Sequence, residues 1–251
     1  LQALCLTQSD YPRAHTHGMR ALGFAEQSGA VSAIRSASAN LGHLKFCTGD
    51  FESALKHLEA ALRTSRPRSE YHLAVADSLA RVKLAMGDLE SGYELVNQME
   101  SDAAESHETG YIRRYSTLTR GEILSRLGRL SEALDCFRRT CATARLVGDD
   151  GLEMRSSLLI QETEARLGLP GRIDEHIRPL DPRNPLAIAD YERSIAVRQS
   201  VQGSQDAAQI HQERAGRIAR ILGDVPRSRD LERLSDVLAR DRPELPSGTA
   251  Q

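Results

Sequence analysis

Ala39-Asn40-Leu41-Gly42-His43-Leu44-Lys45-Phe46-Cys47-Thr48-Gly49-Asp50-Phe51-Glu52-Ser53-Ala54-Leu55-Lys56-His57-Leu58-Glu59-Ala60-Ala61-Leu62 is the stretch whose reading decides the fold. Leu41, Leu44, Leu55, Leu58, Ala61 and Leu62 fall at helical spacing, with Gly49-Asp50 interrupting them. Glycine ends the first helix because it accepts a positive φ, and Asp50 can cap the next. Pro67 closes the second helix. This is one antiparallel helix pair. The same glycine then returns at Gly87, Gly128 and Gly168, in steps of 38, 41 and 40 residues. A recurrence at that period means stacked helical hairpins.

Leu41, Gly42, Gly49, Phe51, Ala54, Leu58, Ala61 and Pro67 together resemble the tetratricopeptide repeat pattern nearly position for position. Leu79, Ala80, Gly87, Leu89, Gly92 and Val96 make a second copy, and Gly121, Gly128, Leu130, Ala133 and Phe137 a third. More degenerate copies surround Gly168 and Gly203. The resemblance implies an all-α, right-handed superhelical solenoid of antiparallel helix pairs. The expected organisation is a truncated first repeat (1–32), a core array (33–169) and degenerate repeats after a proline-rich distortion (170–225). A capping helix (226–240), apolar at Leu231, Leu234, Val237 and Leu238, should cover the exposed end of the stack. Residues 241–251 read as a disordered tail or linker. The opening Leu1-Gln2-Ala3-Leu4, without Met and inside a helical pattern, reads as the edge of a longer protein.

Composition narrows the function. Net charge is −2, so no global field calls for nucleic acid or an anionic membrane. Trp is absent, so Ala, Leu, Ile and Val must build closely packed helical seams. Cys5, Cys47, Cys136 and Cys141 form no CxxC pair and read as buried thiols of a cytoplasmic protein. No apolar run is long enough to span a membrane, and no signal peptide is present. There is no GxxxxGK loop, no GxGxxG and no HExxH. His15 and His17 point about 200° apart on a helix and cannot share a metal. The expectation is a non-enzyme with no cofactor and no metal. Arg113, Arg114, Arg120, Arg126, Arg129, Arg138, Arg139 and Arg145 outnumber nearby acids, but scatter around the helices without aromatics to stack bases, and read as solvated faces.

In the resembled family the first helix of each pair lines the concave face. Carried onto this sequence, the partner-binding groove is Asn40, His43, Asp77, Arg81, Glu122, Arg126, Glu162 and Arg166. The family's carboxylate clamp for chaperone tails is matched only by Asn40. The implied function is a scaffold that binds a protein or peptide partner, or other domains of its parent chain, in this groove. Repeats of about 40 residues with Leu-Gly-Asp ends are also similar to those of MalT-like bacterial transcription regulators, where they sense or inhibit. The alternative expectation is a receptor that closes around a small molecule or peptide.

Overall fold

A computed structural model describes residues 10–104, 110–169 and 184–240. Cys5, the segment Pro170–Pro182 and the tail 241–251 lie outside the described residues, and so do most of the expectations attached to them. The described chain is all-α. Its helices are α1 (Tyr11–Ser28), α2 (Val31–Cys47), α3 (Phe51–Arg63), α4 (Glu70–Met86), α5 (Leu89–Ala104), α6 (Gly110–Arg126), α7 (Leu130–Val147), α8 (Asp150–Arg166), α9 (Pro185–Val201), α10 (Gln205–Leu222) and α11 (Val225–Arg240). Each packs on its neighbour in sequence.

The turns form for the reasons the sequence suggests. Gly87 ends α4 at φ 89°, its N–H donating to the carbonyls of the last turn. Asp50 caps α3 by accepting from the Ser53 N–H, and Asp149 caps α8 in the same way through Leu152. Lys45 and Lys83 reach Asp50 and Asp88 across equivalent turns, at 3.1 and 2.9 Å.

The core is a series of seams rather than one centre. Phe46, Phe51, Ala54, Leu58, Val75, Leu79 and Val82 fill the space among α2, α3 and α4. Leu73, Ala76, Ala80, Val96, Met99 and Ile123 join α4, α5 and α6. Leu118, Leu124, Ala133, Phe137 and Leu152 continue through α6, α7 and α8. Two small residues set the closeness of these seams. A Cβ added to Gly42 would lie 2.7 Å from Leu58, and one on Gly121 would lie 2.5 Å from the Phe137 ring.

Helix α11 does more than end the stack. Leu231 and Leu234 pack with Ala196, Val197, Ala215 and Ala219 of α9 and α10, covering their apolar face. The helix also contacts α2 and α4, far away in sequence. Val225 lies against Gly49, and Tyr11 lies against Gly223. Helix α11 therefore returns to the first described helices.

Candidate functional site

The first helices α2, α4, α6, α8 and α9, together with α11, bound a cavity of about 340 Å³. Six of the eight groove residues named from the sequence line it: His43, Arg81, Glu122, Arg126, Glu162 and Arg166. The other two do not. Asn40 is exposed on α2. Asp77 is buried beneath the lining, and its Oδ1 has no hydrogen-bond partner. Burial pushes the Asp77 carboxyl above its ordinary range, opposed by the Arg81 charge and a hydrogen bond from Thr119.

The lining is an ion-pair network, and helix spacing explains it. Arg155 of α8 donates to Glu122 of α6 at 2.6 Å. Two turns on along α8, Glu162 accepts from Arg193 of α9. Arg193 also reaches Asp230 of α11 at 3.0 Å, and Arg126 of α6 reaches the other oxygen of Asp230 at 2.7 Å. Arg227 clamps both Asp190 oxygens, at 3.0 and 3.2 Å, and bonds Asp224 at 2.5 Å. Arg166 donates to the Ser125 hydroxyl at 2.7 Å. The network thus ties α11 to α6 and α9, and Arg233 adds a bond to the Ala85 carbonyl of α4 at 3.2 Å.

The network lines the cavity with its side chains only partly exposed, so desolvation and partner charges compete. Burial pushes Glu162 up despite Arg193, with Asp230 and Asp190 adding to the rise. Asp230 feels the same burial, but Arg193 and Arg126 outweigh it and hold the carboxyl below its ordinary value. Burial, helped by the Arg81 charge and opposed by Asp224, pushes His43 down to about 4. Its ring is therefore neutral at pH 7. Burial and Asp224 push the neighbouring Cys47 thiol up to about 11, with Arg81 and Arg227 opposing, so it stays protonated. His43 Nε2 and Cys47 Sγ are 3.8 Å apart. With the thiol protonated, this pair lacks the thiolate that a cysteine nucleophile needs.

Aromatic rings underlie part of the wall. His43, Phe46 and Phe51 follow one another with centroid separations of 6.2 and 6.1 Å. Arg81 lies over Phe46 at 5.4 Å, and Arg229 of α11 over Phe51 at 4.7 Å.

Sequence reasoning missed Arg155, Asp190, Arg193, Arg227 and Asp230. The last four lie on α9 and α11, for which the sequence reading named no inward positions. One signal was available: an arginine or acid on nearly every turn of α9 and α11. The arginine-rich stretch of α6 and α7 has a plainer outcome. Arg120 and Arg139 pair with Glu100, Arg129 with Glu132, Arg138 with Glu164 and Arg145 with Glu153. Neighbouring helices neutralise much of that strip. No group of three or more His, Cys, Asp or Glu could hold a metal among the described residues. No described helix is long and apolar enough to cross a membrane. Neither a family model nor a curated protein matches the chain.

Proposed function

We propose that this chain is a non-enzymatic interaction module of the tetratricopeptide type. In this reading the first helices of a superhelical solenoid form a recognition groove, and α11 occupies it as an internal stand-in for a partner helix. One observation carries the reading. The inward positions of α6 and α9 hold α11 through Arg126–Asp230 and Arg193–Asp230, while α4 holds it through Arg233. A surface that seats a charged helix by several modest contacts is suited to recognising one from a partner. Release of α11 would expose Arg126, Glu162 and Arg193 together. The proposed setting is cytoplasmic, as the sensory or regulatory part of a larger bacterial regulator whose other domains are candidate partners.

The test uses the chain ending at Asp224, with helicity checked by circular dichroism, and a labelled peptide of residues 225–240. Saturable anisotropy, lost with Arg126→Glu, is the expected result. A helical truncated chain that ignores the peptide would remove the helix-acceptor reading.

A further inference from the structure

The ion pairs do not use all of the cavity's positive charge. Eight arginines and five carboxylates line it. Each of the five carboxylates has an arginine partner, and Arg126, Arg155, Arg193 and Arg227 supply all of those contacts. Arg166 is engaged with Ser125. Arg81, Arg229 and Arg233 remain without an ion pair among the described residues.

These three lie on the facing stretches of α4 and α11. Arg81 and Ala85 lie one turn apart on α4, and Arg229 and Arg233 one turn apart on α11. The Arg233–Ala85 bond fixes the two helices against each other at that level. Arg81 sits on Phe46 and Arg229 on Phe51, and those rings are 6.1 Å apart. Among the described residues neither guanidinium donates a hydrogen bond. A guanidinium resting on a ring keeps planar N–H donors that match carboxylate or phosphate oxygens in pairs. Asp77 lies one turn before Arg81, but outside the lining and with its charged form disfavoured by burial. The neutral His43 adds no cation, but can donate or accept one hydrogen bond at the same wall.

We infer that the cavity is a binding site for a small organic anion carrying at least two negative charges as carboxylate or phosphate groups, held between Arg81 of α4 and Arg229 and Arg233 of α11. The volume sets the size. About 340 Å³ is within the range of small-molecule pockets. That accommodates a metabolite and excludes a folded partner. The anion bridges two helices that the chain otherwise joins here by one hydrogen bond, so it also fastens α11 in place. The site extends the interaction-module reading without depending on it, because it needs only α4 and α11 side by side.

The test is titration calorimetry of the whole chain with pyrophosphate and, separately, citrate, at 0.15 M NaCl to screen weak electrolyte effects. The expected result is saturable binding of at least one probe, weakened tenfold or more in Arg229→Gln and in Arg81→Gln. Arg217→Gln, on the exposed face of α10, leaves it unchanged. Arg229 is exposed at the edge of the fold, so its variant keeps the test valid if Arg81→Gln fails to fold. Which probe binds tells phosphate from carboxylate recognition. Absence of saturable binding for both, or equal binding in wild type and Arg229→Gln, overturns the site. Peptide capture by the chain ending at Asp224 would persist in that case, so the two proposals fail separately.

Discussion

Between α6 and α7 the contact is a ring on bare backbone: Phe137, fully buried, lies where any side chain on residue 121 would stand. Among α8, α9 and α11 the contact is ionic, with Glu162, Arg193, Asp230 and Arg126 linked in a chain. Both regions join successive helices, yet they respond differently to change. The apolar seam gains from area and fit, and nothing nearby replaces a lost ring. The ionic interior gains little net stability, because desolvation offsets attraction. It does specify which helix lies where. A charge network can also be rearranged by another charge, which an apolar seam cannot.

The largest effect should come from the seam. Phe137→Ala should destabilise by about 3–5 kcal/mol in urea unfolding, since it leaves a ring-sized void beside Gly121. A loss under 1 kcal/mol would mean the seam is looser than its geometry.

The ionic interior should separate single from paired changes. Arg193→Met leaves Glu162 and one side of Asp230 without their partner and should cost about 3 kcal/mol. The pair Arg193→Met with Glu162→Met should recover most of that loss. Failure of the paired variant to recover would erase the contrast between the regions.

His43 lies where the two chemistries meet, and its titration gives a direction in pH. Its folded value of about 4 is below the ordinary 6.5, so the unfolded chain binds the proton more readily. Stability from this group is complete above pH 6.5 and is lost as pH falls towards 4, by up to about 3 kcal/mol. Unfolding of His43→Gln should lack most of that slope. An unchanged slope would assign it to the carboxylates of the network.

Smaller still, Asp50→Ala removes the cap of α3 and should cost about 1 kcal/mol. The exposed Arg129–Glu132 pair should contribute little, because solvent screens it. Arg129→Gln should therefore leave the unfolding midpoint almost unmoved.

The sequence alone was enough to locate the helix boundaries at Gly49, Gly87 and Gly128 and the seams around Leu58 and Phe137. These depend on local physics: a turn needs a residue free to adopt positive φ, and a seam needs apolar side chains at helical spacing. It also ordered six cavity residues, because a regular repeat carries its inward face in its register. Asn40 and Asp77 shared that register, but they stand about 60° and about 40° round the helix from His43 and Arg81, and one meets solvent while the other lies beneath the wall. The role of α11 was not legible. Its leucines announced a helix with an apolar face, and Leu231 and Leu234 do pack on α9 and α10. That the same helix also meets α2 and α4 depends on how all the intervening helices pack. No local pattern records that arrangement. Only the tertiary structure brings Asp230 to Arg126, and Arg229 and Arg233 to the wall that Arg81 shares.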